Sequence, residues 1–412
     1  MCICGIRRTG ASLRRARWIF LTVAILVPRF LAAQADRPLV LVVGFDGFRR
    51  SYVDHDSLPN LHALAAGGVL ADAMIPAFPS VTFPNWYAMA TGLYPEHSGI
   101  VNNTFYDPAL HAGFKYSDST GRQARWYGGE PIWNTATRQG HRVGTMFWVG
   151  SDAGVGGTTP TYWRPYDRHV SFEDRIAQVF QWIDLPAGQR PDLVMMYFEE
   201  PDHTGHEWGP DGPQTAAAAA RVDSMLGKLV DGLKSRGLFD RVNLVVLADH
   251  GMAQTAPDRL IYLSDVVDSN AVRVVSLSPL LMIAPRDGDV PGLEDRLSRL
   301  PHLSVWRREA MPARFHYGDN ARITPLVGLV DVGWTLEASR KDTLRGRGNH
   351  GYDNGDPSMA ALFLAHGPAF RAGAHLAPFP NVDVYDLIAR LVGVQPAAND
   401  GTLDVFSGVL TR

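Results

Sequence analysis

Five stretches of the chain are apolar, interrupted only by Thr145 and Asn243, and then stop at an acidic or imidazole side chain or a turn. Residues 38–45 (PLVLVVGF) run into Asp46-Gly47, and 144–149 end before Gly150. Residues 193–198 run into Glu199, 242–248 into Asp249, and 359–365 into His366. Such runs, bounded by turn residues, predict strands buried on both faces, as the central strands of a parallel sheet are. Between them the spacing changes: Val222, Leu226, Leu229 and Leu233 recur every three to four positions over 216–233, with Gly237 as a stop, which predicts a helix. Strands alternating with helices predict an α/β fold, a doubly wound, mostly parallel sheet flanked by helices. Ligands of such sheets bind outside the carboxyl ends of the strands, where Asp46, Asp202, Asp249 and His250 fall.

The segment 256–345 breaks this rhythm. It holds short strand-like runs at 271–275 and 279–284 and a charged helical stretch at 291–300, and reads as a small α+β insertion that returns to the core at His350. Residues 36–412 are therefore expected to be one catalytic unit carrying an inserted subdomain.

With 412 residues, 46% hydrophobic and 20% charged, the chain can bury a large core, which excludes disorder as its dominant state. The first 35 residues have the form of a secretory signal: Arg7, Arg8, Arg14, Arg15 and Arg17 precede a ten-residue apolar run, and Ala33-Gln34-Ala35 offers a small-x-small cleavage site. That run is too short for a spanning helix, which needs about 20 residues. Without these residues 33 basic face 42 acidic side chains, a net charge of about −9, and no basic stripe suits nucleic-acid tracking. Cys2 and Cys4 both lie in the leader, so no disulfide is expected in the mature chain. A periplasmic or secreted monomer without a membrane span, acting on a small molecule, is the expectation.

The chemistry gathers in short polar groups. Glu200-Pro201-Asp202-His203-Thr204-Gly205-His206 is joined by Asp46-Gly47, Asp249-His250-Gly251 and His350-Gly351. Carboxylate oxygen and imidazole nitrogen suit zinc, and Asp202-x-x-x-His206 is close enough for both side chains to reach one ion after a turn. About seven such ligands suggest two ions. His203 reads as a loop residue, Met195 and Met196 as core filling, and Trp86, Trp133 and Trp148 as core or pocket wall. Asp46 could cap the turn that follows it, but a buried carboxylate without a partner is costly, and a metal resolves that cost.

Residues 85–90 predict a helix with Pro84 in its first turn and Thr82 near its N-cap. A hydroxyl there sits beside free backbone N–H groups that attract phosphate. Thr82 is then either a plain cap or a nucleophile activated by a neighbouring metal, with Ser80 as the competing nucleophile.

The chain resembles the nucleotide pyrophosphatase/phosphodiesterase family of the alkaline phosphatase superfamily over nearly all of residues 38–395. The resemblance is carried by GFDGFR at 44–49, PSVTFPN at 79–85, GLYPEHSGIVNN at 92–103, EPDHTGH at 200–206, ADHGM at 248–252 and NHGYDN at 349–354. It implies that Asp46, Thr82, Asp249 and His250 serve one Zn2+, and Asp202, His206 and His350 a second. It also implies that Thr82 is the nucleophile, that Asn103, or its neighbour Asn102, holds a phosphate oxygen, and that Phe83 and Tyr166 bracket a nucleotide base. Hydrolysis of nucleotide phosphodiesters and pyrophosphates through a phosphothreonine intermediate follows, releasing nucleoside 5′-monophosphate. Within the same superfamily, a glycerophosphodiester or choline-phosphodiester hydrolase and a phosphomutase are the alternatives.

Overall fold

In a computed structural model, residues 39–411 are described apart from 56 and 345. The leader-like segment lies outside the described residues. Eight strands form the central sheet: β1 (Val40–Phe45), β2 (Val69–Ala71), β3 (Val143–Met146), β4 (Tyr162–Arg164), β5 (Leu193–Phe198), β6 (Asn243–Ala248), β7 (Phe363–His366) and β8 (Ala374–Leu376). Their order across the sheet is β8-β2-β7-β6-β1-β5-β3-β4. Every pairing is parallel except those of β7, which runs against both β6 and β2.

All six residues of β1, β5 and β6 are buried. Since successive side chains of a strand point to opposite faces, helices must cover both sides of the sheet. Each fully buried aliphatic side chain contributes about 1.5–3 kcal/mol, so these three strands anchor the core. The 216–233 pattern is realised as a longer helix, Pro213–Ser235, which buries Val222, Leu226, Leu229 and Leu233 and is followed by Gly237 at φ +64°.

The run 359–365, read as one more strand of the mostly parallel sheet, is the one that runs in the opposite direction. His366 pairs with Leu244 at the start of β6, so it lies at the edge of the sheet away from Asp249, where its ring stacks on Phe239 at 4.8 Å.

Between Val272 and Val330 a separate four-stranded antiparallel sheet forms from Val272–Ser276, Leu280–Pro285, Leu303–Arg307 and Leu326–Val330. The helix Val290–Leu297 packs on it, and Leu281, Ile283, Leu293, Leu297, Leu326 and Val330 make a core of their own. A two-residue ribbon closes this long excursion: Ala253 pairs with Asn349 and Gln254 with Gly348. That pairing returns His350 to His250 across 100 residues of sequence, and the two rings stack with centroids 3.6 Å apart. Among the described residues no helix is long and apolar enough to cross a membrane.

Candidate metal and phosphate site

The register of three strands assembles the acids. Phe45, the last residue of β1, pairs with both Phe198 and Ala248, so Asp46 and Asp249 leave the sheet side by side. Asp202 follows four residues after Phe198, and its backbone N–H donates to the Asp46 carbonyl at 3.0 Å. Gly47 makes this approach possible. It sits at φ +64°, its N–H donates to Asp249 Oδ1 at 3.1 Å, and a Cβ there would stand 2.8 Å from that of Asp202.

The segment 202–208 is a short helix, α1 (Asp202–Trp208), where a loop was expected. His203 therefore lies in a helix. The i, i+4 spacing sets Asp202 and His206 on one face, with Asp202 Oδ1 3.5 Å from His206 Nε2. The same oxygen is 3.5 Å from His350 Nε2.

Around His250 the grouping is tighter. Its Nε2 lies 3.1 Å from Asp249 Oδ2, 3.4 Å from Thr82 Oγ1 and 3.5 Å from Asp46 Oδ1. Ligand atoms at tetrahedral angles and bond lengths of 2.0–2.2 Å would be about 3.3–3.6 Å apart. Asp46, Asp249 and His250 offer atoms within 4.8 Å of one another, as do Asp202, His250 and His350. His250 thus stands between the two groups, and His206 joins the second through Asp202.

Three carboxylate oxygens in these groups, Asp46 Oδ1, Asp202 Oδ1 and Asp249 Oδ2, are buried with no hydrogen-bond partner. The other oxygens of two of these acids are satisfied: Asp46 Oδ2 accepts from Tyr197 at 2.5 Å and from Trp86 Nε1 at 3.5 Å, and Asp249 Oδ1 from two backbone amides. All three imidazoles use Nδ1 on a backbone carbonyl, His206 on Gly348 (3.0 Å), His250 on Gly251 (2.9 Å) and His350 on Ser80 (2.9 Å). With Nδ1–H donating, each Nε2 carries the free lone pair, the arrangement metal-bound histidines adopt. Unpaired anionic oxygens converging with imidazole lone pairs are costly on their own and fit cations between them.

The titration behaviour of the metal-free site says the same. Burial, and then the charges of Asp249 and Asp202, push the Asp46 carboxyl well above its ordinary range against the hydrogen bonds from Tyr197 and Trp86. Burial and the nearby His250 and His206 push His350 well down, which keeps it neutral. Burial is the largest influence on His250 and pulls it down, but the charge and hydrogen bond of Asp249, the charge of Asp202 and the Gly251 carbonyl together outweigh it, and the net shift is upward.

Thr82 opens the helix α2 (Thr82–Thr91), whose N-cap is Val81 and supplies no side-chain bond. Pro84 falls in the first turn as expected, where no N–H partner is needed, but the cap is Val81 and the helix begins at Thr82 instead of after it. Thr82 is the first helical residue, and its hydroxyl faces His250. Ser80, by contrast, is fully buried and donates to the Tyr352 carbonyl at 3.2 Å. Asn103 Oδ1 accepts from the Phe83 backbone N–H at 2.8 Å, so its NH2 group is what Asn103 can offer an anion beside Thr82. The Asn102 amide is buried and bonds Met282 Sδ and the Asn103 N–H instead.

Phe83 is half-buried and lies 5.4 Å from the ring of Tyr116, which is 48% exposed. Tyr166, 40% exposed, packs edge-on against Phe147 at 5.4 Å and Tyr197 at 6.1 Å. Burial and then the charges of Asp202 and Asp46 raise the Tyr116 phenol. Tyr116 and Tyr197 were both missed in the sequence. Tyr116 follows a short hairpin of Thr104–Asp107 and Ala112–Lys115 and Tyr197 lies inside an apolar strand, and neither context marks a site. Trp86, Trp133 and Trp148 are all fully or nearly fully buried, and of these Trp86 reaches a site acid.

Residues 40–353 match the family model described as type I phosphodiesterase/nucleotide pyrophosphatase. The chain is 40% identical over 378 residues to ectonucleotide pyrophosphatase/phosphodiesterase family member 3 of Bos taurus, covering 89% of this chain and 43% of that protein. It is 41% identical over 381 residues to a venom phosphodiesterase of Crotalus durissus collilineatus, covering 89% and 45%. It thus spans less than half the length of these curated relatives. Among solved structures, murine ectonucleotide pyrophosphatase/phosphodiesterase 5 superposes with a TM-score of 0.87 at 36% identity, covering 90% of this chain and all of that one. An inactive threonine-to-alanine variant of that mouse protein, in complex with AMP, also gives 0.87, at 35% identity and covering 91% and 100%.

Proposed function

Because the chain belongs to the type I phosphodiesterase/nucleotide pyrophosphatase family, we propose that it hydrolyses nucleotide phosphodiester and pyrophosphate bonds, with Thr82 as nucleophile and two zinc ions as cofactors. The observation that carries this reading is the convergence of three partnerless buried carboxylate oxygens and three Nε2 lone pairs beside one threonine hydroxyl. Asp46, Asp249, His250 and Thr82 would hold one ion and Asp202, His206 and His350 the other. Zinc bound there would lower the pKa of a coordinated hydroxyl and neutralise charge on phosphate oxygens.

Thr82 Oγ1 gives up its proton to solvent and attacks phosphorus, the bond to the leaving alcohol or phosphate breaks on the opposite side, and a leaving alkoxide takes a proton from solvent. Water then cleaves the Thr82–phosphate ester, giving nucleoside 5′-monophosphate and restoring the hydroxyl. Asn103, through its NH2 group, holds a nonbridging oxygen through both steps. Phe83 and Tyr166 supply apolar faces for the base, with Tyr116 a third wall beside Phe83. The leader-like first 35 residues support action in the periplasm or outside the cell, and the absence of a basic stripe supports a small nucleotide as substrate.

A substrate panel on metal-analysed protein tests the proposal. The p-nitrophenyl ester of thymidine 5′-monophosphate should turn over far faster than glycerophosphocholine, with two zinc ions per chain. The reverse preference would move the chain to lipid-derived diesters.

A further inference from the structure

We propose that Tyr197 is a positioning residue serving both halves of this site, its hydroxyl orienting Asp46 toward a metal and its ring supporting Tyr166. The inference rests on the two-zinc reading above. Tyr197 lies in β5 and is buried, and its hydroxyl donates to Asp46 Oδ2 at 2.5 Å, the length of a charge-assisted bond. A carboxylate beside two cations could present either oxygen. The bond from Tyr197 breaks that symmetry, leaving Oδ1 partnerless and 3.5 Å from His250 Nε2.

The ring of the same residue is gripped from one side and offered on the other. Trp86 meets it edge-to-face at 5.5 Å and 88°, and Trp86 Nε1 reaches the same Asp46 oxygen at 3.5 Å. Tyr166, exposed toward solvent, meets it at 6.1 Å and 69°. The backbone is held as well: the Tyr197 carbonyl accepts from Arg175 Nη1 at 3.1 Å, and Arg175 is fully buried and paired with Glu199. The phenol therefore has no freedom to follow a moving partner, and Asp46 must adopt the orientation that it sets.

Two substitutions separate the roles. Tyr197→Phe keeps the ring and removes the hydroxyl, and Tyr197→Leu removes both. Metal-free protein is titrated with zinc against a chelating indicator, and KM for the thymidylate p-nitrophenyl ester is measured at saturating zinc. In Tyr197→Phe, one of the two zinc affinities should fall about 10- to 100-fold, as when a ligand's hydrogen-bonding partner is lost, with KM unchanged. Tyr197→Leu should show that same loss and a KM raised about 2- to 10-fold, the worth of an aromatic pair. Wild-type zinc affinity in Tyr197→Phe, or equal weakening of both sites, overturns the inference while leaving the two-zinc reading intact. Failure of the wild-type chain to bind zinc overturns both.

Discussion

Thr82 Oγ1 lies 3.4 Å from His250 Nε2, although the two residues are 168 positions apart in the chain. One opens a helix and the other lies two residues past the end of a strand, and the hydroxyl and the imidazole lone pair meet only because the sheet delivers Asp249-His250 to the start of α2. The same nitrogen faces Asp46 and Asp249. A cation placed among them would touch the threonine hydroxyl directly, which couples metal binding to the nucleophile.

Removal of single ligands should separate the two metal positions. Asp202→Asn and His350→Ala are each expected to bind one zinc per chain with turnover reduced at least 100-fold, measured by inductively coupled plasma mass spectrometry on the folded variants. Two tightly held ions in either variant would contradict the grouping.

Gly47→Ala tests the backbone that brings Asp46 to Asp202. The added methyl meets Asp202 Cα at 2.9 Å and sits at φ +64°, a conformation that costs a non-glycine residue about 1–2 kcal/mol. A lower melting temperature and weaker zinc binding are expected. Wild-type values for both would show that the two loops separate without cost.

The metal-free protein should respond to pH through Asp46. Its carboxyl is raised in the folded chain by burial, Asp249 and Asp202, so the folded state holds a proton that the unfolded state has released. Its contribution to stability is therefore largest below the ordinary carboxylate pKa of about 4 and declines as pH rises toward the shifted value. Melting curves of metal-free wild type and Asp46→Asn across pH 4–8 should show a shallower decline in the variant. Identical slopes would contradict the shift. In wild type, zinc binding at neutral pH should release protons, because the metal takes the carboxylate form.

Asn103→Ala should lower kcat by about 100- to 1,000-fold, the usual worth of one donor to a developing anion, while two zinc ions stay bound. Asn102→Ala should instead lower the melting temperature, since that amide is buried against Met282. A kcat effect confined to Asn102 would reverse the assignment.

The strands were legible because β1, β5 and β6 are buried on both faces, which calls for near-continuous apolar runs, with Asn243 the polar exception at the start of β6. The acids and histidines were legible because charged groups directly after parallel strands emerge at one end of the sheet; His366, after the reversed strand, emerges at the other. The helix 202–208 was not, since DHTGHEW carries a central glycine and no apolar period. The reversal of β7 left no local trace either, because a buried strand reads alike in both directions. His250 meets His350 through a ribbon of two residue pairs, too short to signal itself in sequence. The part played by Tyr197 depends on a hydrogen bond that an apolar context conceals.

The most direct test is turnover of the thymidylate p-nitrophenyl ester by zinc-loaded Thr82→Ala. Zinc content near two per chain with turnover reduced by several orders of magnitude is expected. Turnover close to wild type with both ions bound would show that another group attacks phosphorus, and that Thr82 only begins a helix.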